Sequence, residues 1–447
     1  MNWNKFVECF VLFIAMIEMF FFSGLMLGFN SIIPSLMKEN FFSKYCPIRN
    51  STCSARNQIY SYVIISAIIS LNLSAFICGV FFDKFGQIYT KYLSSLLFFF
   101  GCLFIALSSI TVNELLYPGV IILGFCSQFI ILYNYSLTIS FHKCQNILIS
   151  IFSSLLDISA VVIGLIGLTH RSGVSIFNSF LTLGIFGSVI LLINSTKCLN
   201  VKRLSNPQEN GESDKLEKPQ DRLDGPANLQ VYINSKYHNL TSIVFNRYYL
   251  LHIVFTCIIF FRNIFFLSQL NIQLEIHFRG QPKVIEYLLF ISSFVFVFGI
   301  IAGPFSGAIV DYLKNNLEYQ DKNDSELVYK ANLKCFVIPF MICSFMNVIM
   351  SIFIMIPQIW AVYMSFIAFT ITRSFVYSLY SGYILTAFPK EYFGQASGAC
   401  TTIWGIISFL QYPLSFKDSM SVNILNYILI GMSCLAFIHP VVLLLKK

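Results

Sequence analysis

The sequence predicts an all-α polytopic membrane protein with 12 transmembrane helices in two six-helix halves. Three observations carry this expectation. First, 56% of the 447 residues are AVILMFWYC and only 11% are DEKR, against about 45–50% and about 25% in soluble domains. Second, roughly 250 apolar residues, at ~20 per crossing, suffice for about twelve spans. Third, one long polar stretch near the middle divides the apolar runs six and six. This composition excludes a soluble cytosolic enzyme, a disordered chain and a nucleic-acid binder. It also excludes an outer-membrane barrel, whose strands alternate over only ~10 residues.

The spans follow in order. The first, residues 6–34, is too long for a cleaved signal peptide and lacks a small-residue cleavage site. The next five are residues 59–82, 92–112, 115–141, 147–169 and 173–195. The second set covers 248–270, 284–310, 335–357, 359–388, 395–416 and 422–445. The domains are therefore residues 1–196, a linker at 197–247, and 248–447. The linker contains SNPQENGESDKLEKPQDRLDGP, with too little apolar content to repay the entropy of ordering, and is expected to be flexible.

Orientation follows from the basic residues. With both termini inside, 19 of the 29 Lys and Arg fall in inner segments and 8 in outer ones. That bias places both termini and the linker in the cytoplasm, and accounts for the net charge of +8 without nucleic acid. The 13 Cys are mostly scattered through apolar runs, where Cys acts as a small hydrophobe. No metal spacing appears. Cys46 and Cys53 share one short polar loop on the outer, oxidising side, so a disulfide is expected there. Asn50-Ser51-Thr52 in that loop is a glycosylation sequon, here discounted as a chance match. The sequons at Asn239 and Asn323 should be cytoplasmic and inert.

An internal repeat supports the division into halves. Gly79-Val-Phe-Phe-Asp83-Lys84-Phe-Gly86 follows the second span, and Gly307-Ala-Ile-Val-Asp311-Tyr-Leu-Lys314 ends the eighth. Both are Gly-x-x-x-Asp at an inner helix end, followed by a base. Gly79–Lys91 resembles the signature loop of the major facilitator superfamily, G-x-x-x-D-[RK]-x-G-[RK]-[RK]. Gly79 allows close helix approach. Asp83 can receive hydrogen bonds from another helix N-terminus. Gly86 permits a tight turn. The resemblance implies a latch on the cytoplasmic side, built from Gly79, Asp83, Lys84 and Gly86 and echoed by Gly307, Asp311 and Lys314. Gln87 and Ile88 depart from the usual basic pair.

A narrower resemblance lies in FFFSGLMLGFNSIIPSLMKENFF with Cys46 behind it, LSQLNIQLE around Asn271, and FPKEYFGQASG at 388–398. These look like the facilitators for large neutral amino acids. The equilibrative nucleobase relative of those facilitators and the apicomplexan amino-acid transporters share the layout.

Ionisable residues within spans cost about 2.5–3.5 kcal/mol each and mark function by default. Here they are Glu18, Asp157, Arg262 and Arg373. In the resembled superfamily spans one, four, seven and ten line the cavity, which covers Glu18, Arg262 and Arg373. Arg262, Phe266, Gln269 and Gln273 share a helix face, as do Arg373, Tyr377, Tyr380 and Ser381. Ser150, Ser153 and Asp157 form a smaller polar stripe, read as structural. An amino-acid carboxylate would take Arg262 or Arg373. Its ammonium would take Glu18 or unwound carbonyls near Asn30 and Asn271, and its side chain a pocket with Phe266 and Tyr377. The competing reading pairs each arginine with an acid to hold the bundle.

The expected function is alternating-access transport of an amino acid, neutral or aromatic, by a facilitator or exchanger in the plasma membrane. The expected partners are that substrate and the lipid bilayer; the chain should work as a monomer, without cofactor or metal. The alternatives are nucleobase transport and a non-transporting sensor. No catalytic constellation suggests an enzyme.

Overall fold

The computed structural model describes residues 3–46, 54–108, 112–138, 145–197, 226–317, 324–389, 392–414 and 419–445. Among them every regular element is helical. Nine helices are long and apolar enough to cross a membrane, and a bent pair, Phe10–Ser23 with Leu25–Lys38, makes a tenth. The apolar helix Ile176–Leu192 and the buried helix Phe393–Ser408 occupy the sixth and eleventh places in the expected order. The fold is that of an all-helical polytopic membrane protein.

The second and third spans, Ala55–Phe82 and Lys84–Ser108, turn at Gly86, with φ 78° and ψ −178°. Only glycine adopts that conformation readily. The first span breaks at Gly24, with φ −123° and ψ 26°, between a π-helical turn, Met19–Ser23, and a 3₁₀ turn, Leu25–Gly28. A Cβ on Gly24 would overlap the carbonyl oxygen of Leu156, so spans one and five meet backbone to backbone. Lipid supplies no hydrophobic drive between helices, and such close contacts replace it. The Gly24 N–H donates to Ser159 Oγ at 2.8 Å, satisfying a donor freed by the break.

Arg56, assigned by the sequence to an outer loop, is buried. Its Nε donates to the Phe41 carbonyl at 2.7 Å and an Nη to Met37 at 2.9 Å. It thereby closes the C-terminal end of helix Phe29–Lys38, where a cation meets orphan carbonyls.

The linker departs in part from the flexible expectation. Residues 198–225 lie outside the described residues. The remainder forms helices Pro226–Lys236 and Leu240–Val244; Ile233 and Ile243 on them, and Tyr237 between them, are buried. Tyr237 and Tyr329 hydroxyls lie 3.3 Å apart, and Lys236 Nζ sits 4.8 Å from the Tyr329 ring centroid. This part of the linker carries an apolar stripe that the charged part lacks, so docking it repays its ordering entropy.

Candidate substrate cavity

Midway along the spans, residues from both parts of the chain line a small cavity. Span one contributes Ser23, Gly24, Met26 and Leu27 at its break. Span two adds Ala67, Ile68 and Leu71, span four Gly124 and Ser127, and span five Leu156. Among the described lining residues, Arg373 is the contribution of the C-terminal half and the sole charged side chain. The walls are aliphatic.

Arg373 is held by its surroundings. Its Nε donates to Asp157 of span five. One Nη donates to Tyr377 Oη at 3.3 Å, and the guanidinium stands 5.0 Å from the Tyr377 ring centroid. Asp157 Oδ2 also accepts from Ser374 Oγ at 3.3 Å. A guanidinium has five N–H donors; two are used among the described residues. Asp157, read from sequence as a structural residue, is the anion that holds the arginine at the cavity wall.

The other sequence candidates part company here. Arg262 is not among the cavity-lining residues. Its Nε donates to Ser351 Oγ at 2.8 Å, in a cluster with Asn347 and Ser433 of spans nine and twelve. One Nη is buried without a hydrogen-bond partner among the described residues. Gln273, on the same face, accepts from Asn426 at 3.3 Å, which ties span seven to span twelve. Gln269 is buried on that helix. Phe266 stacks on Phe369, with centroids 4.9 Å apart, in a buried cluster that also holds Leu27 and Ala160. Phe369 in turn lies 6.0 Å, ring centroid to guanidinium, from Arg373.

Glu18 is fully buried beside Lys91, with Oε1 3.7 Å from Nζ, and accepts from Asn134 at 3.4 Å. Lys91 also lies 4.7 Å from the Tyr133 ring centroid. Glu18 is not among the cavity-lining residues. Lys91, counted in the sequence as a loop base, is instead fully buried in the third span. The one signal for it was that a buried acid on span one demands a cation.

Asn30 and Asn271 are not at unwound backbone. Asn30 belongs to helix Phe29–Lys38 and donates to the Leu267 carbonyl at 2.9 Å, tying span one to span seven. Asn271 lies within the continuous helix Arg247–His277, its amide without a hydrogen-bond partner among the described residues. The backbone opens six residues before Asn30, at Gly24, where contact with span five rather than an asparagine dictates the break. Ser23, Gly24 and Ser127 line the cavity although the sequence did not single them out.

Of the latch residues, Gly79 faces span eleven: the Gly394 carbonyl oxygen would lie 3.6 Å from a Cβ there, an ordinary contact. Asp83 is one turn further on, and its side chain lies outside the described residues. Lys84 is exposed, 5.4 Å from the Phe85 ring centroid. In the second copy, Gly307 is buried and Asp311 follows one turn later in the same helix. Lys314 donates to Thr386 Oγ1 of span ten at 2.8 Å, a contact within its own half. Cys46 is disulfide-bonded; Cys53 and the Asn50 sequon lie outside the described residues. Among the described residues no group of three metal-ligating side chains comes together.

An all-helical bundle with nine or ten helices of membrane-crossing length among the described residues defines a polytopic membrane protein. The chain matches the Major Facilitator Superfamily over residues 11–411, and it belongs to that superfamily. It is 23% identical to the Equilibrative nucleobase transporter 1 of Bos taurus, over 95% of this chain and 94% of the relative. It is 22% identical to the Large neutral amino acids transporter small subunit 3 of Homo sapiens, over 90% and 86%. The crystal structure of a bacterial homologue of the iron transporter ferroportin, in an outward-facing state, matches in fold. The TM-score is 0.58 at 11% identity, covering 98% of this chain and all of that one.

Proposed function

We propose that the chain moves a neutral amino acid by alternating access, with Arg373 as the carboxylate anchor. The observation that carries this reading is Arg373 itself: a cation with N–H groups to spare, at the wall of an otherwise aliphatic cavity. A planar fork of donors suits a carboxylate. Asp157, within reach of the same ligand, suits the ammonium. Aliphatic walls suit a branched or linear hydrocarbon side chain better than an aromatic one, which narrows the sequence expectation.

Ser23 and Ser127 supply neutral hydrogen bonds. The latch residues Gly79, Asp83, Lys84 and Gly86 would hold the cytoplasmic end, where Gly79 meets span eleven. In this reading the termini are cytoplasmic, Cys46 pairs with Cys53 outside, and the protein works as a monomer in the plasma membrane.

A nucleobase is the second reading, favoured by the likeness to a nucleobase transporter over 95% of the chain. A nucleobase asks for stacking surfaces, and none of the described lining residues is aromatic. Uptake of radiolabelled amino acids and nucleobases in oocytes decides between them. Saturable uptake of leucine-like amino acids is expected; uptake of nucleobases alone would overturn the reading.

A further inference from the structure

The charges buried within the spans do not balance. Glu18 pairs with Lys91 and Asp157 with Arg373, and Arg56 closes a helix end on backbone carbonyls. Arg262 is the remainder. It is 2% exposed, and none of the ion pairs among the described residues includes it. It lies at the middle of helix Arg247–His277, the depth at which a lone charge costs most. Its Nε donates to Ser351 Oγ at 2.8 Å, which uses one of five guanidinium N–H groups. One Nη is buried without a partner among the described residues. The neighbours do not neutralise it. Ser351 and Ser433 each give their hydroxyl proton to a carbonyl of their own helix, that of Asn347 and of Leu429, at 2.8 Å. Asn347 Nδ2 donates to Ser433 Oγ at 2.9 Å. Hydroxyl and amide oxygens accept hydrogen bonds and leave the positive charge in place.

We propose that Arg262 holds a resident monovalent anion, chloride, between spans seven, nine and twelve. A cation this deep is kept in a fold only with a counter-charge beside it. One guanidinium with no second base balances one negative charge, whereas a dianion would leave the site negative. Ser351, Asn347 and Ser433 are all buried, so a compact ion suits the place better than a bulky organic anion. The Nη groups of Arg262 and the second N–H of the Asn347 amide supply its donors. The carboxylate of a solute is chemically alike, but Arg262 is not a cavity-lining residue and Arg373 is. The ion therefore pins three helices of the C-terminal half together, whatever solute the cavity takes.

Purified full-length protein in detergent is exchanged into gluconate and titrated with chloride at constant ionic strength, and its unfolding temperature is followed. A ligand held by the folded state alone raises that temperature in a saturable way. The wild type should gain several degrees with chloride, and with bromide in its place. Arg262→Gln should unfold at the same temperature in gluconate and in chloride. Should Arg262→Gln fail to reach the membrane, Arg262→Lys keeps the charge and gives up the planar fork, and its half-saturating chloride should rise several-fold. Leucine separates the two sources of a small anion: the chloride midpoint of the wild type should be the same with and without it. No chloride response in the wild type, or one undiminished in these variants, overturns the anion site. A midpoint that climbs with leucine concentration puts the anion in the solute cavity and overturns the site at Arg262 as well.

Discussion

Two buried arginines of the same expected role have different neighbours. Arg262 donates to Ser351 beside spans nine and twelve, whereas Arg373 meets Asp157 at the cavity. Helical period assigns each a polar face but not what that face meets, so the sequence could name both and not choose. Arg262→Lys should accordingly leave the apparent KM for leucine within about twofold while lowering thermal stability. A KM shift would place Arg262 on the transport path. Glu18 and Lys91 give the complementary case. Lys91→Met removes the cation beside a buried carboxylate, a change that costs about 3–5 kcal/mol. Membrane expression should fall sharply, and Lys91→Met with Glu18→Gln should restore it. Equal expression of single and double variants would contradict the pairing.

At the scale of elements, backbone constraints set the design, and they were legible to different degrees. Gly86 stood out in its motif, and its positive φ follows from the tight reversal between spans two and three. Gly86→Ala should destabilise by about 1–3 kcal/mol, seen as a lower unfolding temperature in detergent. The break at Gly24 was not legible, because its cause lies 132 positions away in the Leu156 carbonyl. Gly24→Ala must displace that helix contact and should abolish uptake. Gly79→Ala adds a methyl at ordinary contact distance from Gly394 and should be tolerated. If Gly24→Ala transports normally, the packing of spans one and five is looser than described. The linker shows the same division: its charge-rich part gave a compositional signal, whereas the docked helices needed the surface they cover.

For the whole molecule, apolar run length made the all-helical membrane fold readable before any tertiary contact. The identity of the lining was not, since ten lining positions are apolar, glycine or serine residues without individual signal. Topology is a property at this scale. A cysteine placed in the linker should be labelled only from the cytoplasmic side, and one in residues 35–45 only from outside; the reverse would invert the orientation. The central claim is that the transported solute docks its carboxylate on Arg373. It is tested most directly by leucine uptake into proteoliposomes by the wild type and Arg373→Lys. Lysine gives up the bidentate fork, and a charge-assisted bond contributes about 1.5–3 kcal/mol. The account predicts at least a tenfold rise in apparent KM in Arg373→Lys, with leucinol failing to compete in the wild type. Leucine uptake unchanged by the substitution, or adenine uptake in its place, would contradict it.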